Sequence, residues 1–429
     1  MAEQAGRNVR DLRRSNRSLL LRHLYFHERV SRQELSRATG LSTASVSNVV
    51  TELIDEGLVV EAGAVESEGG RPRILLEIDA SRFQVVGVDV GETHVRVERF
   101  DLALNELARC DIPVTAGRYA PETVVAGIAA GLTAVGADQD GPGAEQILGV
   151  GIGVPGIVHG GPDSVVHCQT FNWDGVPLAA LLRGVTALPL FIDNGATTMG
   201  QAEMWFGAGR QASDSVFLLV GSGVGAAVMV GGVPYRGSTT SAGEWGHITA
   251  VIGGRRCRCG ARGCLEAYTS AESVIARYRE AGGSALTEGA GQEAALRQIL
   301  ADAHSPAAAE VLDTTALHLG VGIGNLVNLF NPERVIIGGW AGLLLGHRLL
   351  PRIRAVARDH ALHYPFSRTT IELCQLGPDA VARGAATLPV ARFLGSGGTV
   401  RRSAALPDPP ARARTELGPA AWAGSDWSR

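Results

Sequence analysis

The sequence predicts an α/β fold: a small N-terminal winged helix-turn-helix domain followed by a larger mixed α/β body. Three observations predict it. Residues 16–56 show helical periodicity punctuated by turn signals. From Gln84 onward, apolar strands alternate with helical stretches. And 429 residues exceed one ordinary core, so two or three domains are expected. The divisions fall at 1–80 for the head, 81–393 for the body and 394–429 for a disordered tail.

In the head, Leu19, Leu20, Leu24 and Tyr25 form one apolar stripe. Ser31 is placed to cap a second helix carrying Leu35 and Ala38, which Gly40 ends. Ser42 caps a third helix with Val46, Val49, Val50, Leu53 and Ile54 inward, and Gly57 stops it. Leu58–Val60 and Ile74–Ile78 then read as short strands around a polar loop, Gly63–Arg73. The third helix directs Thr43, Ser45, Ser47 and Asn48 away from its apolar stripe. With the Ser42 cap, these short polar groups suit close approach to base edges and phosphates. Arg71 and Arg73, within Gly69-Gly-Arg-Pro-Arg73, suit a minor groove or phosphates. The first 40 residues carry nine Arg against four acids, a local positive edge on a chain of net charge −4. Double-stranded DNA is thus the expected partner of the head; a module for protein contacts alone is the weaker alternative.

In the body, Val85–Val90, Ile147–Val154, Leu188–Ile192, Val216–Val220 and Val335–Ile337 read as strands, with helices at Pro121–Val135 and Thr315–Phe330. The longest charge-free run, Val216–Arg236, is broken by five glycines, which disfavours a membrane helix. From Leu394 the chain turns rich in Gly, Ala, Pro, Arg and Ser, the composition of disorder.

Three of the six cysteines crowd into Cys257-Arg-Cys-Gly-Ala-Arg-Gly-Cys264. Clustering, with an Arg-rich N-terminus lacking an apolar signal core, favours a metal site in a reducing cytoplasm over a disulfide framework. His247 offers a fourth ligand. His247, Cys257, Cys259 and Cys264 make a closed three-thiolate, one-imidazole set, the signature of structural Zn²⁺. Three ordinary thiols, with or without one disulfide, are the alternative.

These residues carry a resemblance. Gly243-Glu-Trp-Gly-His247 followed by Cys257-x-Cys259-Gly-x2-Gly-Cys264-Leu-Glu266 resembles the signature of the ROK family, which comprises repressors, open reading frames and sugar kinases. Gly151-Ile-Gly-Val-Pro-Gly156, Gly221-Ser-Gly-Val-Gly225, and Asn331-Pro with Ile336-Ile-Gly-Gly339 are similar to further family segments, so the likeness spans about residues 84–393. It implies an actin-like, hexokinase-like ATPase fold of two lobes around a cleft. Carried over, the sugar-holding residues are Asn194, Glu244, His247 and Glu266. His247 would then serve metal and sugar through different ring nitrogens. Trp245, beside the expected pocket, would narrow the ligand range.

The resemblance also implies a loss. Counting back from Glu203, Gly195 falls where the family's catalytic Asp stands, and Asp193 lies two residues early. Glu92 replaces a glycine of the first phosphate loop and puts a carboxylate where a phosphate would sit. The expectation is therefore no kinase activity, but a cytoplasmic DNA-binding regulator, a repressor of carbohydrate genes, that senses a sugar and works as a homodimer or homotetramer on operator DNA. The alternatives are an ATP-dependent sugar kinase with a DNA-binding head, and a constitutive DNA binder with a vestigial pocket.

Overall fold

The computed structural model describes residues 9–67, 70–114, 119–137, 144–160 and 163–400. The head comprises α1 (Val9–Phe26), the short strand β1 (Val30–Ser31), α2 (Arg32–Thr39), α3 (Thr43–Asp55), β2 (Val59–Ser67) and β3 (Gly70–Ile78). Local chemistry sets its boundaries. Ser31 and Glu34 form a capping box at the start of α2, and Gly40 ends that helix in the left-handed region at φ 70°. The Ser42 hydroxyl accepts from the Ser45 N–H at the start of α3. Val46, Val49, Val50 and Leu53 are buried under α3 as their spacing requires.

Three expectations for the head need correction. Leu21, not Leu19, shares the buried face of α1 with Leu20 and Leu24. The hairpin arms are far longer than two short strands, pairing from Val59↔Ile78 out to Ser67↔Gly70. Arg73 therefore lies on a strand opposite Val65 and not in an open loop. Arg71 also falls within β3, but its side chain, with residues 68 and 69, lies outside the described residues.

The body contains two five-stranded sheets built to one plan. The first has β4 (Gln84–Val90), β5 (His94–Asp101), β6 (Glu106–Pro113), β7 (Ile147–Val154) and β11 (Leu190–Asn194), ordered β11-β7-β4-β5-β6. The second has β12 (Ser215–Val220), β13 (Val224–Val230), β14 (Val233–Pro234), β15 (Arg334–Gly338) and β16 (Thr370–Leu373), ordered β14-β13-β12-β15-β16. In each, two antiparallel hairpin strands extend three parallel ones. A small sheet of β8 (Ile157–His159), β9 (Val165–Cys168) and β10 (Trp173–Val176) joins the first lobe, as do α4 (Pro121–Ala134) and α5 (Leu178–Leu182). The second lobe carries α7 (Glu266–Thr269), α8 (Ala271–Glu280), α9 (Gln292–Ala301), α10 (Pro306–Phe330), α11 (Trp340–His360) and α12 (His363–Arg368). The helix expected at Thr315 in fact begins at Pro306, capped by Ser305.

Two helices join the parts. α6 (Gly195–Phe206) leaves the end of β11, and α13 (Ala380–Gly395) returns across the first sheet. α13 lies so close that a Cβ at Gly151 would stand 1.8 Å from the Ala385 carbonyl oxygen. α6 is held between lobes: Gly200 faces Phe217 and Met229 of the second sheet, and Gly384 of α13 abuts the Thr198 backbone. Glu203, fully buried on α6, accepts from the N–H groups of Ala208 (2.7 Å), Gln375 (3.0 Å) and Leu376 (2.8 Å).

The head docks directly on the body. Phe26 meets Trp205 edge-on, with ring centroids 5.0 Å apart, and Tyr25 packs on both Trp205 and Phe206. The Tyr25 hydroxyl donates to the Leu102 carbonyl at 2.7 Å. The head core and adjoining body residues form one continuous apolar cluster. Residues 394–398, expected at the start of a tail, belong to the packed fold. α13 runs to Gly395, and Arg17 Nε of α1 donates to the Gly397 carbonyl at 2.8 Å. Gly398 approaches Leu21 and Leu58, so small residues at 395–398 serve close packing here. Residues 401–429 of that expected tail lie outside the described residues.

Candidate functional site

Both lobes line a cleft of 1290 Å³, and Asn194, Glu244, His247 and Glu266 all border it. Their availability differs. Asn194 ends β11 and caps α6: its Oδ1 accepts from Ala196 N–H (2.8 Å) and Thr197 N–H (3.2 Å), and its Nδ2 donates to the Gly156 carbonyl (2.7 Å). Most of that amide is committed to backbone. Glu266, 5% exposed, accepts from Val224 N–H through Oε2 and from Arg258 Nε through Oε1, both at 2.9 Å. Glu244 is freer: it lies 3.9 Å from His247 Nε2, and burial pushes its pKa up, His247 opposing and Glu266 adding to the shift. Trp245 does not border the cleft. The one-turn helix Trp245–His247 swings its indole into the second-lobe core, where Nε1 donates to the Gly322 carbonyl at 3.2 Å. Its expected role in limiting the ligand is therefore withdrawn; Trp340 at the start of α11 lines the cleft instead.

Beside the cleft the ligand atoms of His247, Cys257, Cys259 and Cys264 lie within 4.8 Å of one another, a group able to hold a metal ion. The Cys259 and Cys264 sulfurs are 3.7 Å apart, too far for a disulfide, and Cys257 Sγ is 3.7 Å from His247 Nδ1. A tetrahedral ion with metal–sulfur bonds of about 2.3 Å needs edges of about 3.8 Å, so the donor set fits such an ion. Nδ1 of His247 faces the thiols while Nε2 is on the Glu244 side, which divides the ring between metal cluster and cleft.

The region where the resemblance places a phosphate is occupied by protein charge. Arg258, between two of the thiols, forks onto both oxygens of Glu92 (2.9 and 3.0 Å) and donates to the Ser222 carbonyl (3.1 Å). This ties the first lobe to the cysteine-bearing loop of the second. Burial raises the Glu92 pKa, and Arg258 pulls it back. Gly221–Gly225 makes the turn between β12 and β13, with Gly221 N–H donating to the Gly223 carbonyl at 2.8 Å. Asp193 is no free base: Arg236 Nη1 and Nη2 grip its two oxygens at 2.9 and 2.5 Å. Gly195, where the resemblance reserves a base, offers none. Sequence reasoning misses both Arg236 and Arg258. Their only signal is position, in the same segments as Glu244 and the cysteines.

On the head, Thr43, Ser47 and Asn48 are exposed along α3, while Ser45 is half-buried. The Ser42 and Ser45 hydroxyls bond each other at 2.9 Å, so this pair shapes the helix start. No described helix is long and apolar enough to cross a membrane.

Residues 85–391 match the ROK family. The chain belongs to the ROK family. A second match, to the MarR family, covers residues 11–70. The xylose repressor of Caldicellulosiruptor bescii is 30% identical over 408 residues, covering 89% of this chain and 97% of that protein. A glucokinase of Halalkalibacterium halodurans is 32% identical over 312 residues, covering 69% of this chain and 91% of that enzyme. The first likeness covers more of this chain than the second, which leaves out about a third of it. A crystal structure of a ROK family transcriptional regulator, described as a homologue of the E. coli MLC protein, superposes with TM-score 0.73 at 24% identity. It covers 90% of this chain and 98% of its own, and shows the same fold.

Proposed function

We propose that this ROK protein is a sugar-responsive DNA-binding repressor of carbohydrate genes and not a kinase. One observation carries the reading: α6 begins in the cleft at its Asn194 cap and ends against the head at Trp205 and Phe206. The cleft and the head thus share one rigid element. Residues 1–80 form the DNA-reading unit and 81–393 the sensing unit, and the protein acts as a homodimer or homotetramer in the cytoplasm. Ser42, Thr43, Ser45, Ser47 and Asn48 approach the major groove, and Arg71 and Arg73 contact phosphates or the minor groove. Asn194, Glu244, His247 and Glu266 line the sugar's place. His247, Cys257, Cys259 and Cys264 hold structural Zn²⁺, which as a bound dication would keep the three thiols ionised and the loop closed. A sugar that binds one lobe arrangement better than the other shifts the heads between DNA-competent and incompetent placements.

The Arg258–Glu92 and Arg236–Asp193 pairs favour sensing over phosphoryl transfer, since they occupy the groups that a phosphate or base would need. The test is a sugar panel with purified protein, scored by thermal shift, with and without Mg-ATP. At least one sugar should stabilise the protein, metal analysis should find one zinc per chain, and no sugar phosphate should form. Turnover above about 1 s⁻¹, the low end of ordinary kinase rates, would contradict the reading. Replacing Arg71 and Arg73 with Ala should weaken DNA binding and flatten its salt dependence; an unchanged slope would remove the hairpin from the interface.

A further inference from the structure

We propose that the Asp193–Arg236 ion pair is the recognition element of the cleft, presenting an acceptor and a donor side by side to two neighbouring hydroxyls of an uncharged sugar. This rests on the sugar-sensing reading above. Both residues line the cleft, and they come from different lobes: Asp193 from β11, Arg236 from the segment after β14. The carboxylate side chain is 8% exposed and the guanidinium 35%. Asp193 Oδ1 accepts from Arg236 Nη1 (2.9 Å) and the Asn194 N–H (2.8 Å), whereas Oδ2 accepts from Arg236 Nη2 alone (2.5 Å). One lone pair of Oδ2 is therefore open, and three of the five guanidinium N–H groups are uncommitted. Vicinal hydroxyls match this pattern, because each can donate to the carboxylate or accept from the guanidinium.

Two of the other cleft residues are already committed to protein partners. The Asn194 amide is largely spent on α6 and Gly156, and both Glu266 oxygens are already engaged. Charge sets the ligand class. Arg236 is matched by the Asp193 carboxylate, and Arg258 by those of Glu92 and Glu266. Glu244 remains beside His247. The two other arginines lining the cleft are paired as well, Arg96 with Asp111 and Asp379 and Arg297 with Glu293, so a phosphate-bearing ligand would find no unmatched guanidinium there, while a neutral polyol leaves the balance intact. The pair also crosses the cleft. Thr240 Oγ1 donates to the Val158 carbonyl at 2.7 Å, so the segment carrying Arg236, Glu244 and His247 is pinned twice to the first lobe. A ligand bridging Asp193 and Arg236 would thereby fix the lobe separation.

The test is calorimetric titration of the full chain with D-xylose, D-glucose, N-acetyl-D-glucosamine and D-glucose 6-phosphate, followed by single-deoxy analogues of whichever neutral sugar binds. Wild type should bind a neutral sugar and bind glucose 6-phosphate more weakly than glucose. Two adjacent deoxy positions should each cost about tenfold or more, the loss expected for a hydrogen bond to a charged group. Arg236→Lys, which keeps the charge and loses the fork, should weaken the sugar at least about tenfold. In that variant the penalty for the same two deoxy positions should vanish. Should Arg236→Lys fail to fold, the deoxy series on wild type decides alone. Sugar binding with no adjacent pair of sensitive hydroxyls, or unchanged affinity in a folded Arg236→Lys, overturns this inference and leaves the sugar-sensing reading standing. Wild type that binds none of the neutral sugars overturns both.

Discussion

Arg258 shows how a single residue couples the two lobes of the cleft. It sits between two thiols of the metal group, and its guanidinium reaches Glu92, Glu266 and the Ser222 carbonyl. A carboxylate at Glu92 is unfavourable beside a phosphate, but beside a guanidinium it closes the lobes on each other. A second charged residue carries a stability cost that pH exposes. Glu98 is 1% exposed, and its Oε1 has no hydrogen-bond partner. Burial first, then Asp379, pushes its pKa up to about 8, with Arg109 and Arg96 opposing. Its unfolded value is about 4.3, so the folded state holds the proton more tightly. That contribution to stability is complete below the unfolded value and is lost as pH rises through about 8. Glu98→Gln should therefore raise the melting temperature near pH 9 and do so by less near pH 5. An equal shift at both, or a fall near pH 9, would remove Glu98 from this role.

At the scale of elements, α6 is the link that matters. Its 12 residues span about 18 Å at 1.5 Å per residue, from the Asn194 cap in the cleft to the aromatic contact with α1. Trp205→Ala removes the ring that Phe26 and Tyr25 both meet, while the cleft end of the helix stays intact. The variant should bind sugar with wild-type affinity yet lose most of the sugar's effect on DNA binding. An undiminished effect would mean that the signal takes another path. The elements legible in the sequence are those fixed by neighbours within one turn. Ser31 with Glu34 and Ser42 with Ser45 declare the starts of α2 and α3, and Gly40 and Gly57 their ends. The long hairpin of β2 and β3 reads as a loop because its outer arms bury little, so they carry no alternating apolar signal.

Across the whole molecule, what escapes the sequence is long-range. Arg236 and Asp193 are 43 residues apart and Arg258 and Glu92 are 166 apart, and no local periodicity relates them. The His247, Cys257, Cys259 and Cys264 cluster is visible because these residues lie within a short segment whose spacing is itself the signal. Trp245 misleads for the converse reason: adjacency to Glu244 in sequence becomes opposition in space through a single turn. The docking of head on body, by Tyr25 and Phe26 against Trp205 and Phe206, makes the chain one mechanical unit and not two tethered domains. A sugar in the cleft should change how the head grips DNA. The decisive measurement is a titration of the protein against a DNA duplex that it selects from a random-sequence library, at fixed salt, with and without the sugar that most raises its melting temperature. Affinity should change by about fivefold or more, the low end of ordinary coupling between sites. A sugar that clearly stabilises the protein but leaves DNA affinity the same would contradict it.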